Sequence, residues 1–313
     1  MRSRLTGTTN LELFEMVFSI PATAVSSGNP VAKRAPRYTI SHGAFDRGRP
    51  IQILWLRMSM DVAGYLNRIN YRGPRGVSVE TLRELHKAHL LAVPFENLDV
   101  HFKRAIVLDE QKLVGKILAE RRGGICYELN SSFCSLLSAL GFQVSMLSAG
   151  VARDEGGFDP PFDHMALLVH LEERWLADVG FGDSFREPLR LDLRGEQDQY
   201  GESYRIVDAE GQHLIVERRQ SESWKPQYRF TLDPYRLDDF AEMCRYHQTS
   251  PESPFTRKRV CTLATPGGRI TVTGMRMIVT DRGEKQEREF ESHEEWLAAL
   301  RTHFGIELEN TTP

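Results

Sequence analysis

Apolar residues recur at helical spacing in the first half of this chain and at strand spacing after it. Val62, Tyr65, Leu66 and Ile69 mark one face of a first helix, and a second over 79–92 ends at Pro94, whose ring cannot continue it. Asp109 caps a third helix that is expected to close at Gly123. In a fourth, starting at Cys126, Leu129, Phe133, Leu136, Leu137 and Leu140 share one stripe, and Gly141 stands where a terminating glycine belongs. From Gly141 to about Tyr246 the pattern changes to short runs of β-formers, at 143–147, 165–171, 204–207 and 228–232, separated by polar turns. The last part carries strands at 269–273 and 276–279. A helix follows, with a capping box at Ser292 and Glu295 and a C-terminal glycine at Gly305.

The fold class this predicts is α+β and multidomain: a helical bundle over 60–140, a β-barrel over 141–249 and an α/β lid over 250–313. No internal repeat is visible. With 313 residues, 41% hydrophobic and 27% charged, the chain can bury more than one core. A net charge of -3 gives no electrostatic case for nucleic acid, and no apolar run is long enough to span a bilayer. The cysteines, Cys126, Cys134, Cys244 and Cys261, form no CxxC pair, so neither a zinc ribbon nor a disulfide framework is suggested and a reducing cytoplasm is the expected compartment.

Residues 1–59 stand apart, with eight Lys and Arg against three Asp and Glu. The stretch 11–25 is apolar, but Glu12 and Glu15 interrupt it and Pro21 breaks it, which argues against a signal peptide. The segment is expected to be a disordered extension or a start-site artefact, with translation beginning at Met58 or Met60. Deleting it is then expected to leave activity and melting temperature unchanged, and a truncation that fails to fold would overturn this reading.

The run Arg121-Arg122-Gly123-Gly124-Ile125-Cys126 ends a loop on two glycines and starts a helix on a thiol. Unpaired N–H groups and the positive end of the helix dipole favour thiolate, so Cys126 is a candidate nucleophile with an acidified thiol. Thirty-eight positions on, His164 opens one strand, and fourteen further on Asp178 ends the next, with Glu172-Glu173-Arg174 between them. Whether the two side chains meet is a matter of parity. A two-residue turn would pair Asp178 with Leu167 and leave His164 on the other face. A three-residue loop, 171–173, pairs Asp178 with Ala166 and makes His164 its diagonal neighbour, and this is the expected register. Asp178 would then hold one ring nitrogen while the other serves the sulfur. His86 and His89, spaced i, i+3 on the second helix, could in principle share a metal. No third ligand lies near them, so no metal is expected and both are read as solvated or core-edge histidines.

These segments resemble those of the arylamine N-acetyltransferase family: Arg122 to Cys126, His164 to Val169, Asp178 to Gly182 and, upstream, Val93 to Val100. The resemblance runs from about residue 60 to the C-terminus. It implies the same three-part fold, with a cysteine-protease-like Cys-His-Asp site between the parts. Cys126 would accept an acetyl group from acetyl-CoA, a cosubstrate rather than a bound cofactor, and pass it to the amine of an arylamine, arylhydroxylamine or arylhydrazine, a two-step ping-pong reaction. The first-turn N–H groups at Cys126 are candidate oxyanion donors. By the same resemblance Phe95, Phe181 and Phe255 would line the acceptor pocket, and Gly180 and Gly182 would approach the coenzyme A phosphates. Arg122, pairing with Glu96, would support the site, since a charge so close to a buried centre needs a partner. A same-fold amide synthase or a transferase using another acyl donor would carry the same residues, and a cysteine hydrolase is a weaker alternative. The amine, the acyl chain length and the oligomeric state stay open.

Overall fold

The computed structural model describes residues 60–308, and the expectations for residues 1–59 lie outside them. Helix α1 (Val62–Arg68) is capped by Asp61, α2 (Val79–Ala92) by Ser78, and strand β1 (Phe95–Glu96) leads into the short α3 (Leu98–His101). Helix α4 (Glu110–Leu118) starts at the expected cap, where the Asp109 side chain accepts from the Lys112 N–H, but ends well before Gly123. Arg121 has a positive φ of 51°, which no helix continues through, and Arg122 turns inward. Gly123 is needed for a different reason: a Cβ there would lie 1.8 Å from the Pro94 carbonyl oxygen. Helix α5 (Cys126–Ala139) then runs through the core, its residues on all sides buried, and ends at Gly141 with φ 98°.

Strands β2 (Gln143–Val151), β3 (His164–His170), β4 (Arg174–Ala177), β5 (Leu189–Arg190), β6 (Gln197–Gln199), β7 (Glu202–Asp208), β8 (Leu214–Gln220) and β9 (Ser223–Tyr235) form one antiparallel sheet in the order β5-β4-β3-β2-β9-β8-β7-β6. Register shifts in β2/β9 and β8/β9 supply the bends that curl it. Its two edges are joined by side-chain amides that imitate a strand. Gln197 accepts from the Arg190 N–H and donates to its carbonyl, and Gln199 does the same for Glu187, at 2.7–3.1 Å. The result is a nearly closed barrel around Leu147, Ala166, Leu168, Leu176, Ile206 and Val216. The alternate residues of β3, Met165, Leu167 and Val169, pack outward on α2 and α5 residues, so this strand is buried on both faces.

After helices α6 (Ala241–Thr249) and α7 (Pro254–Arg257), strands β10 (Val260–Thr265), β11 (Gly268–Thr273), β12 (Arg276–Asp281) and β13 (Glu284–Glu289) form a second sheet, to which β1 adds as an edge strand. Asn97 fastens the junction, donating to the Phe255 and Lys258 carbonyls and accepting from the Val260 N–H. Helix α8 (His293–Phe304) covers this sheet with Trp296, Leu300 and Phe304. Its Ser292 cap accepts from the Glu295 N–H as expected, while the Glu295 carboxylate reaches one residue further back, to the Glu291 N–H. Gly305 closes the helix in the left-handed region.

Candidate active site

The β3–β4 hairpin has a three-residue loop: Leu167 pairs with Ala177 and His170 with Arg174. Extending that register places Asp178 opposite Ala166, and His164 Nε2 donates to Asp178 Oδ2 at 2.7 Å. This bond puts the ring proton on Nε2 and leaves Nδ1 as the basic nitrogen. Phe181 and Tyr228 pack against the imidazole, with ring centroids 5.3 and 5.1 Å away. Asp178 Oδ1 accepts from Asn130 Nδ2 and from the Gly180 N–H, both at 2.9 Å. Asn130 stands one turn after Cys126 on α5. It also donates to the Met165 carbonyl and accepts from the Val179 N–H, so one amide fixes α5 to β3 and to the segment that follows β4. An Asn four positions after Cys126, on the same helix face as the thiol, was the signal available in the sequence, and sequence reasoning did not use it.

On the other side of the thiol, Arg122 donates to Glu96 Oε1 and Asp99 Oδ1 at 2.9 Å, and Lys116 Nζ lies 2.7 Å from both Asp99 and Glu128. Glu128 closes the circuit by accepting from the Ile125 N–H at 2.9 Å, which fixes the residue that precedes Cys126. The anticipated Arg122–Glu96 pair is thus one edge of a five-residue buried ionic cluster. Burial lowers the Lys116 ammonium, but the three carboxylates around it more than reverse this and hold it charged. Burial pushes the Glu128 carboxyl up, only partly opposed by Lys116.

The helix position does not acidify Cys126. Burial pushes the thiol well above its ordinary value and the Asp163 and Asp178 charges add to this, while a hydrogen bond from the Met165 backbone acts the other way. Dipole stabilisation is about 0.3–2 kcal/mol, whereas removing an anion from water costs several. His164 lines the same cavity as this thiol. For Asp178 burial also acts upward. It is outweighed by the His164 charge and by hydrogen bonds from His164, Asn130 and Gly180, which hold the carboxyl below its usual range.

A cavity of about 390 Å³, counting its open mouth, is lined by Cys126, His164, Phe95, Phe181 and Phe255 together with Gly180, Asp163 and His247. All three phenylalanines singled out in the sequence meet there. Gly180 is required by packing, since a Cβ would lie 2.8 Å from Cys126 Cα. Gly182 adopts φ 92° and is not part of the lining. His247 and Asp163, which sequence reasoning passed over, form a second imidazole–carboxylate contact of 3.2 Å beside the thiol. His86 and His89 are neither solvated nor at the core edge: both rings are fully buried, because α2 packs its histidine face on Phe133 of α5. Among the described residues no group of three or more His, Cys, Asp and Glu could hold a metal ion, and no helix is long and apolar enough to cross a membrane.

Comparison with known proteins adds an independent finding. A family model described as N-acetyltransferase matches residues 78–312. The arylamine N-acetyltransferase / N-hydroxyarylamine O-acetyltransferase of Salmonella typhimurium is 38% identical over 236 residues, 74% of this chain and 83% of that protein. Proansamycin X synthase of Amycolatopsis mediterranei is 32% identical over 77% of this chain and 95% of its own length. The solved arylamine N-acetyltransferase of Mycobacterium marinum in complex with CoA superposes with a TM-score of 0.73 at 30% identity, covering 79% of this chain and 93% of that one.

Proposed function

The chain belongs to the arylamine N-acetyltransferase family, and from that premise we propose that its acetyl transfer from acetyl-CoA to arylamines runs through an acetyl-cysteine on Cys126, with His164 as base and Asp178 as the group that orients it. The observation that carries this reading is the 2.7 Å His164–Asp178 bond in the same cavity as Cys126. His164 Nδ1 takes the thiol proton and the sulfur adds to the thioester carbonyl. The oxyanion collapses with cleavage of the carbonyl–CoA sulfur bond, and the imidazolium returns its proton to the departing CoA thiolate. The amine then adds to the acetyl-cysteine and gives its proton to Nδ1. Collapse releases the amide, and the cysteine sulfur recovers the proton. Donor and product thioesters are similar in energy, so the first half-reaction needs no other driving force. First-turn N–H groups of α5 are our candidates for the oxyanion donors.

Phe95, Phe181 and Phe255 suit a planar aromatic acceptor through ring contact, and we extend the acceptor class to arylhydroxylamines and arylhydrazines. Gly180 and Gly182 are our candidates for close backbone approach to coenzyme A phosphates. The cytoplasm is the compartment we assign, where the donor is made and a thiol stays reduced. Initial rates measured with both substrates varied test the two-step scheme: parallel double-reciprocal lines are expected, and intersecting lines would overturn it. A second reading, intramolecular amide synthesis, draws on the similarity to proansamycin X synthase. The three phenylalanines that share the cavity with Cys126 favour a planar aromatic acceptor and so the first reading.

A further inference from the structure

His86 of α2 meets the backbone of Asp178, whose carboxylate meets His164. Its ring is fully buried, stacked on Phe185 at 5.8 Å between centroids and edge-on to Phe133 at 6.0 Å. The Asp178 N–H donates to His86 Nε2 at 3.0 Å. A nitrogen that accepts carries no proton, so the proton of the neutral ring is on Nδ1, which donates to the Arg186 carbonyl at 2.9 Å. The Arg186 guanidinium in turn donates to the Thr265 and Gly268 carbonyls at 2.8 Å, which fastens this segment to the β10–β11 turn. The carboxylate of Asp178 is thus held by His164, Asn130 and Gly180, and its backbone N–H by His86.

We propose that His86 is a positioning residue that, as a neutral imidazole accepting the Asp178 N–H, fixes the aim of the Asp178 carboxylate at His164. A charged ring would present an N–H to another N–H and break the arrangement. Burial, partly opposed by the Arg186 carbonyl and by Asp178 and Glu187, lowers the ring to about 4, and His89 packs nearby, so His86 stays neutral through the working range. The inference rests on the reading of Asp178 as the group that orients His164.

The test uses the full chain with His86→Leu, His86→Asn and His86→Gln. Leu fills space without a polar atom, Asn can reach the Arg186 carbonyl but not the Asp178 N–H, and Gln carries an acceptor to the Nε2 position. Turnover and the rate of Cys126 alkylation by iodoacetamide are followed from about pH 5 to about pH 9, with Cys126→Ala as the blank. Leu and Asn are expected to slow turnover about tenfold with the KM for acetyl-CoA unchanged, to slow alkylation near neutrality to a similar degree, and Gln to recover most of both. Parental turnover and alkylation in His86→Asn, or equal impairment in Asn and Gln, would overturn the proposal, and this pair decides it even if His86→Leu fails to fold. Alkylation needs no acyl donor. A parent that takes no acetyl group from acetyl-CoA would therefore break the functional reading while leaving His86 decided.

Discussion

Two buried polar networks flank the first turn of α5, and they are built on opposite principles. The one formed by Glu96, Asp99, Lys116, Arg122 and Glu128 sets three carboxylates against two cations, each held at 2.7–2.9 Å by at least one neighbour. The one around His164 is centred on one carboxylate, Asp178, whose other ties are neutral, Asn130, the Gly180 N–H and His86, with the His247–Asp163 contact standing beside it. The dense network fixes protons as well as positions. Burial would raise the Asp99 carboxyl, yet Lys116 and Arg122 together hold it low, and the same cations are held charged in return. The sparse network borders a thiol that burial pushes well above its ordinary value. Charge is locked on one side of Cys126, while the other side, where the proposed chemistry lies, is held mainly by neutral hydrogen bonds.

Substitutions that separate rate from stability sharpen this contrast. The largest expected effect is on rate: Asp178→Asn should lower turnover about 10⁴-fold with the fold retained, because an amide offers one acceptor oxygen to three donors and no longer stabilises the imidazolium. Full activity in that variant, measured by amide formation, would remove Asp178 from the mechanism. Next, Arg122→Met should destabilise the protein by about 3–5 kcal/mol in urea unfolding, since Glu96 would lose its nearer cation and Asp99 one of its two. Its activity should fall only as far as its folded fraction does. A stable but inactive variant would make Arg122 part of the chemistry.

A third prediction concerns pH. His86 has a folded value of about 4, below its unfolded value, so the unfolded chain binds the extra proton first and stability falls as pH drops from about 6.5 towards 4. At about pH 5 the loss relative to neutrality is about 2 kcal/mol from this ring, and His86→Gln should flatten the curve by that amount. Parallel curves for parent and variant would contradict the neutral-ring account. The smallest effect is expected far from both networks: Ser292→Ala should cost about 1 kcal/mol at the α8 cap and leave turnover untouched.

Much of this was legible in the chain because it is local. The caps at Asp109 and Ser292, the stripe on α5 and the parity of the β3–β4 hairpin all depend on residues a few positions apart. What was not legible depends on approach across the fold. His86 meets Asp178 from 92 positions away, and Lys116 and Asp99 complete the Arg122 cluster only once α3 and α4 are packed on the α5 turn. Strand β13 gave no hydrophobic alternation because it is a charged, exposed edge, and β6 closes the barrel with glutamines that read as turn residues. The acidified thiol expected from the helix terminus failed for the same reason: desolvation is a property of the packed site, and it outweighs the dipole.

The measurement that bears most directly on the central claim is the intact mass of the parent and of Cys126→Ala after incubation with acetyl-CoA, with and without an arylamine. One acetyl group gained by the parent, absent from the variant and discharged by the amine, is the predicted result. An unmodified parent whose Cys126 is still readily alkylated, or an acetyl group that persists in Cys126→Ala, would contradict the account.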